Sequence, residues 1–336
     1  MSRLVLELTN RCNLRCRHCF DERHAATGEL SLDVIDKVLT DARACGIARV
    51  SFTGGEPTLY RHFEKILQRC AETECRFSLV TNGSTFPRVY PQFLTHRAWF
   101  DGVTFSLDGA REATHDRLRG KGSYRQVMRA ASICHFTDLG FTFNMVVTAE
   151  NRGEIGELVD VAAALGSRGV QFGFLMPGRG VECDALDLAP HQRLEVEATI
   201  RDVQRRAPIP VAMAPGYFSE SPFFACGPLE EHEFNVDWRG NMTLCCQLSG
   251  FWGERPDTPD RVASLHELSL AEALSRFRRR VSTYLADKRA RVAAGQFAEL
   301  DHFPCRYCVG YLDEQPSFVP VQRRPATNQG GIHDHT

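Results

Sequence analysis

From the first residues to about residue 206, short apolar runs alternate with segments whose apolar positions recur every three to four residues. The runs Leu4–Leu8, Arg49–Thr53, Arg76–Thr81, Gly102–Leu107, Phe141–Val147 and Val170–Leu175 predict β-strands. Between the first two, Ser31 predicts a helix N-cap, Ile35, Val38, Leu39 and Ala42 share one face, and Gly46 marks the stop. Ser123–Leu139 before Gly140, and Ile155–Leu165 before Gly166, follow the same pattern. Six β–α repeats predict parallel strands joined by right-handed crossovers, an α/β fold arranged as an open or partial (β/α)6 TIM-like barrel. The polar and glycine-rich segments follow the strands, where such folds carry their sites.

Beyond residue 207 the alternation stops. Pro208, Pro210, Pro215 and Pro222 interrupt the chain, and two cysteine-bearing patches flank a helical stretch from about Leu270 to Leu300. Its basic residues, Arg276, Arg278, Arg279, Arg280, Lys288, Arg289 and Arg291, read as a solvated helix face in preference to a nucleic-acid surface. The end of the chain is rich in Pro, Gln, Gly and His, predicts disorder, and holds His333 and His335 as part of that tail. The expected division is therefore a core over 1–206, a smaller C-terminal domain over 207–315 and a tail over 316–336.

Composition narrows the function classes. Of 336 residues, 43% are apolar and 24% charged, and 40 Lys+Arg against 42 Asp+Glu leave a net charge of −2. That balance gives no electrostatic case for nucleic acid or an anionic membrane as partner. No apolar run approaches the roughly 20 residues that cross a bilayer. The N-terminus lacks a signal-peptide pattern, so a cytoplasmic protein is expected. In that compartment thirteen cysteines do not form a disulfide scaffold. Cys45, Cys70, Cys75, Cys134 and Cys183 are scattered singly and the first four read as small buried hydrophobes, whereas the other eight cluster.

The loop after the first strand reads Thr9-Asn10-Arg11-Cys12-Asn13-Leu14-Arg15-Cys16-Arg17-His18-Cys19. Cys12, Cys16 and Cys19, spaced CxxxCxxC, offer three thiolates to a [4Fe–4S] cubane that has four irons, and so leave one iron open to an external ligand. Arg11, Arg15 and Arg17 are expected to offset the cluster's charge. On spacing alone a zinc site completed by His18 or His24 remains an alternative.

The order of motifs resembles the radical S-adenosylmethionine (SAM) superfamily, over about residues 4–206. Besides the cysteines, the second strand ends Thr53-Gly54-Gly55-Glu56-Pro57, the third Thr81-Asn82-Gly83 and the fourth Ser106-Leu107-Asp108-Gly109. The resemblance implies a SAM-binding [4Fe–4S] cluster on the three cysteines. It also implies SAM contacts from Gly54 and Gly55, from Glu56 to the methionine ammonium, and from Asn82, Ser106, Asp108 and Asn144. His18 stands where the family usually has Tyr or Phe; its imidazole can still stack on or bond to adenine. Met176-Pro177-Gly178-Arg179-Gly180 is similar to the segment whose backbone lies near adenine. With these motifs in order, the zinc alternative is set aside.

In the C-terminal region, Cys226 is followed by 13 residues and Gly240, then by four residues and Cys245, and later by the CxxC pair Cys305 and Cys308. This resembles the opening of the SPASM pattern, truncated to a twitch domain because no cysteine follows Cys308. The resemblance implies an auxiliary [4Fe–4S] cluster on Cys226, Cys245, Cys305 and Cys308, with a four-thiolate zinc as the alternative. Cys246 is left over as a small hydrophobe, a substitute ligand or a catalytic hydrogen-atom donor, and Cys183 is a second candidate donor.

Three function classes follow. Oxidation or epimerisation of a small polar metabolite, such as a sugar or aminocyclitol in antibiotic biosynthesis, is favoured, because the barrel starts at Leu4 without a preceding peptide-docking module. The alternative is a maturase acting on a short ribosomal peptide. A non-catalytic iron–sulfur carrier is the third, and an open iron argues against it. Flavodoxin or ferredoxin is the expected electron donor.

Overall fold

The computed structural model describes residues 2–19, 27–176, 185–224, 226–249, 251–252 and 258–313. Six parallel strands form the core: β1 (Ser2–Thr9), β2 (Ile47–Gly54), β3 (Arg76–Thr81), β4 (Phe100–Ser106), β5 (Phe141–Val147) and β6 (Val170–Phe174). Helices α1 (Leu32–Ala42), α2 (Phe63–Glu72), α3 (Phe86–Thr95), α4 (Glu112–Arg119), α5 (Ser123–Thr137) and α6 (Ile155–Ala164) lie between them. This is the α/β, partial TIM-barrel architecture expected. The Ser31 side chain accepts from Asp33 N and caps α1, whose buried face is Val34, Ile35, Val38, Leu39 and Ala42.

Strand parity sets the two faces. In β3 and β4, Phe77 and Phe105 pack on α3, with ring centroids 6.4 Å from Phe93 and 5.0 Å from Phe86 respectively. The alternate residues point the other way. Ser78, Thr104 and Thr142 line a cavity of about 440 Å³ at the strands' N-terminal ends. Val80, Ser106 and Val146 line one of about 200 Å³ at their C-terminal ends.

The boundary expected near residue 206 is not a break in the sheet. After α7 (Pro190–Arg206), β7 (Val211–Met213) adds to β6 in parallel. At the opposite edge β8 (Glu233–Val236) pairs in parallel with β1, placing Arg3 beside Glu233. β9 (Asn241–Thr243) and β10 (Arg261–Ser264) then continue antiparallel, so among the described residues the sheet has ten strands in the order β10-β9-β8-β1-β2-β3-β4-β5-β6-β7. The C-terminal region thus contributes strands to both edges of the core sheet. Short strands between prolines carry too little periodicity to be seen in the sequence.

The basic helix is α8 (Leu270–Ala293), started by a capping box in which Glu272 N donates to Ser269 Oγ and Ser269 N to Glu272 Oε2. It stops before Gly295, shorter than expected, and a further helix, α9 (Pro304–Asp313), carries Cys305 and Cys308. Most of its arginines are solvated, but Lys288 is not: it is 1% exposed, in phase with the apolar stripe Leu270, Leu274, Phe277, Val281 and Tyr284. Among the described residues no helix is long and apolar enough to cross a membrane. Cys183, Pro177–Gly180 and the tail with His333 and His335 lie outside the described residues.

Candidate functional site

The cysteine loop leaves β1 and folds over the C-terminal ends of the strands, and Cys12, Cys16 and Cys19 all face the cavity of about 200 Å³. Backbone contacts hold the loop there. Gly55 N donates to Thr9 O at 2.7 Å and Glu56 N to Arg11 O at 2.7 Å. This approach explains both glycines. A Cβ on Gly54 would stand 2.3 Å from Thr9 O, at a φ of +129°, and one on Gly55 would stand 2.2 Å from Arg11 O. They line the cavity, yet what they admit closely is the cysteine loop's own backbone.

Asn82 tethers the loop from β3's end. Its Nδ2 donates to Asn13 Oδ1 at 3.0 Å and to Cys12 Sγ at 3.7 Å. Glu56 is fully buried just behind the cavity wall. Its Oε1 accepts from Thr58 N, Thr58 Oγ1 and Thr81 Oγ1, while Oε2, among the described residues, accepts only from Asn82 N at 2.8 Å and keeps one acceptor position. Burial raises its pKa above the ordinary carboxylate value, opposed by these hydrogen bonds.

Besides Glu56, which is 0% exposed and does not line the cavity, two expected contacts are placed differently. Asp108 is 0% exposed and does not line the cavity. Its Oδ1 accepts from Val146 N at 2.8 Å, and its Oδ2 accepts from Arg119 Nε and lies 3.2 Å from His18 Nε2. Asn144 is also absent from the cavity wall, although Ser106, its register partner on β4, is part of it. Asp108 is therefore a hub that orients two wall residues, Arg119 and His18. Burial disfavours its charge, but Arg119 and His18 hold its pKa below the usual carboxylate value.

Burial drives the His18 pKa down to about 4 against the pull of Asp108, so the ring is neutral at pH 7. With Nε2–H donating to Asp108, Nδ1 is left as an acceptor, buried without a hydrogen-bond partner among the described residues. Burial also opposes the charge of Arg119, but Asp108 and Cys16 outweigh it and keep the guanidinium protonated. Arg119 Nη1 stands 3.9 Å from Cys16 Sγ.

Arg119, which the sequence did not single out, is thus the cation beside the thiols. The expected cations are engaged elsewhere: Arg11 with Glu29 and Leu59 O, Arg15 with the Cys12 and Leu14 carbonyls, and Arg17 with Glu150. Burial raises the thiol pKa of Cys12, and that of Cys16 to about 11, so ligation by either entails loss of a proton.

The second cysteine set also comes together. The Cys226 thiol, pushed up to about 12 chiefly by burial, is raised further by Cys308; Cys305 feels Cys308, Cys226 and Cys246. Cys245 is raised first by its hydrogen bond with Cys246, then by burial, and also by Cys305. Tyr284 Oη lies 3.0 Å from Cys308 Sγ. Cys246 Sγ donates to Glu233 Oε1 at 3.7 Å and is not part of the first cavity's wall, whereas its neighbour Gln247 is. The described structure therefore gives Cys246 an acid neighbour and a thiol neighbour in place of a position facing the first cavity.

Residues 6–162 match the Radical SAM superfamily model. The chain carries a radical SAM domain. The AdoMet-dependent heme synthase of Methanosarcina barkeri is 29% identical over 223 residues, covering 64% of this chain and 62% of that protein. The PqqA peptide cyclase of Methylocella silvestris is 27% identical over 251 residues, covering 72% and 67%. This chain thus spans about two thirds or less of the length of these curated relatives. Among solved structures, Streptococcus suis SuiB bound to S-adenosylmethionine superposes with a TM-score of 0.66 at 18% identity, over 81% of this chain and 65% of that one. The anSMEcpe structure with bound AdoMet gives 0.60 at 20%, over 81% and 80%. At such identities these show the fold.

The cofactors of a radical SAM domain are a [4Fe–4S] cluster and SAM, and the residues present fit both. Three thiols converge on one cavity with a buried guanidinium beside them, and the same wall includes Ser106, Asn82 and His18, whose buried Nδ1 has no hydrogen-bond partner among the described residues. Among the described residues no three His, Cys, Asp or Glu stand together as ligands of a single metal ion. A cubane distributes its thiolates over separate irons, so convergence on a cavity is the relevant criterion.

Proposed function

We propose that this chain is a radical SAM enzyme that modifies a peptide, by crosslinking, epimerisation or oxidation. The observation that carries this reading is the similarity to PqqA peptide cyclases, repeated in several organisms at 25–27% identity. The sequence alone favoured a small polar metabolite from the position of the first strand, and the repeated similarity to peptide cyclases favours the peptide reading over it. The similarity to a heme synthase supports a second reading, oxidation of a small molecule.

In this reading Cys12, Cys16 and Cys19 hold the SAM-binding cluster, and Cys226, Cys245, Cys305 and Cys308 hold an auxiliary one. When bound, the cluster and SAM supply a 5′-deoxyadenosyl radical that removes a hydrogen atom from a substrate C–H bond. The chain's own residues position and exclude. Asn82 fixes the Cys12 loop, Glu56 Oε2 has room for an ammonium proton, and Ser106 offers a hydroxyl. His18, held neutral and oriented by Asp108, presents Nδ1 as an acceptor for an exocyclic amine. Arg119 balances thiolate charge without donating a proton, because its guanidinium stays charged. Val80, Val146, Phe174 and Met176 give the wall an apolar part that displaces water. A flavodoxin or ferredoxin is the electron donor in this scheme.

The test is anaerobic incubation of the reconstituted chain with SAM, dithionite and short precursor peptides encoded beside its gene. Peptide modification is expected as a mass loss of two hydrogens or as deuterium uptake from heavy water, with 5′-deoxyadenosine formed in step. 5′-Deoxyadenosine formation stimulated by tetrapyrroles, with every peptide unchanged, would establish the second reading instead.

A further inference from the structure

Lys288 is a buried cation that the proposed reaction does not use. It is 1% exposed, and its Nζ has no hydrogen-bond partner among the described residues. Aromatic rings surround it: Nζ lies 3.4 Å from the Phe224 centroid, 4.3 Å from Tyr307 and 5.6 Å from Phe297. Rings attract a cation but leave its donors empty, and an ammonium in such a place needs negative charge nearby to remain. Burial lowers its pKa to about 8, while Cys308 and Cys226 pull it upward.

The placement is specific. Tyr307 lies between Cys305 and Cys308 on α9, Phe224 two residues before Cys226, and Tyr284, one turn before Lys288 on α8, touches Cys308 Sγ. Three elements that carry the second cysteine set or contact it therefore also build the cage. Among the described residues, Asp301 is the one carboxylate that pulls on it, more weakly than either thiol.

We propose that Lys288 is a positioning charge that sets the reduction potential of the metal group held by Cys226, Cys245, Cys305 and Cys308. The proposal rests on the auxiliary-cluster assignment made above. Four thiolates around a [4Fe–4S]2+ core carry a net charge of −2, and one electron from an external reductant makes it −3. A fixed ammonium stabilises the more negative state by more, because Coulomb attraction scales with charge, and so raises the potential. The Tyr284 hydroxyl, within hydrogen-bonding reach of Cys308 Sγ, acts in the same direction.

The test uses the full-length chain with Cys12, Cys16 and Cys19 replaced by Ala, so that only the second set titrates. Lys288→Met and Lys288→Gln are compared with the Lys288 parent by dithionite titration monitored by electron paramagnetic resonance, after iron and circular dichroism measurements. Both neutral variants should hold about four irons. Both should also show a reduction equilibrium constant lowered tenfold or more, ~59 mV more negative for a one-electron couple. Lys288→Arg should stay within about threefold of the parent, since it keeps the charge. Unchanged potentials in iron-replete neutral variants would overturn the proposal. So would loss of the irons in those variants alone, because Lys288 would then serve assembly. A parent that itself holds no iron refutes the cluster assignment instead.

Discussion

The Asp108–Arg119 pair offers the sharpest quantitative check of how the first cavity is built. Asp108 is fully enclosed and the Arg119 side chain is 10% exposed, so neither charge has water to fall back on. Arg119→Met leaves a carboxylate with only Val146 N and His18 as partners, and should cost about 3–5 kcal/mol. Asp108→Asn leaves a buried guanidinium next to protonated thiols in the apo chain and should cost a similar amount. The double variant carries no buried charge, and the amide introduced in place of the Asp108 carboxylate still accepts from Val146 N, so its loss should be about 1–3 kcal/mol. The cycle then closes with a coupling of about 3 kcal/mol or more. Urea unfolding of the apo chain, followed by far-ultraviolet circular dichroism, measures all four corners. Single-variant costs that add to within about 0.5 kcal/mol of the double would refute the buried-pair argument.

Three further outcomes follow. Gly54→Ala places a Cβ against Thr9 O at a disfavoured φ, and should lower stability by at least about 2 kcal/mol in thermal unfolding and reduce reconstituted iron; a stable, iron-replete variant contradicts the close approach. Cys226→Ala and Cys308→Ala should each drop iron from about eight to about four per chain, whereas Cys246→Ala should leave it unchanged; iron loss in the last would make Cys246 a ligand. Burial raises the Asp260 carboxyl to about 6 from 3.8, so the folded chain binds more protons than the unfolded one between those values. Stability should therefore fall by about 2 kcal/mol as pH rises from 4 to 7, and Asp260→Asn should remove that fall; parallel pH profiles for the two proteins would refute it.

The core of the fold was legible in the sequence because its strands and helices are long enough to show their periods. Phe141–Val147 is predicted and observed over identical bounds, and Ser31 caps the first helix as expected. The three-residue strands β7 and β9 had no period to read, and the pairing of β8 with β1 leaves no local trace. Within the site, the first three cysteines, Gly54, Gly55, Asn82 and Ser106 line or brace one cavity. Asp108 belongs to the site but in a different role from the one expected, since motif order does not say whether a carboxylate faces a ligand or a neighbouring arginine. Arg119 was hidden among the many arginines around it. Lys288 could have been found: it falls four residues after Tyr284 and seven after Val281, in step with an apolar stripe.

The pairing of Arg3 with Glu233, 230 residues apart, has a consequence during synthesis. One margin of β1 stays unzipped until the ribosome has delivered Glu233–Val236. A fragment ending at residue 206 would keep that margin bare, ready to recruit any extended segment it meets.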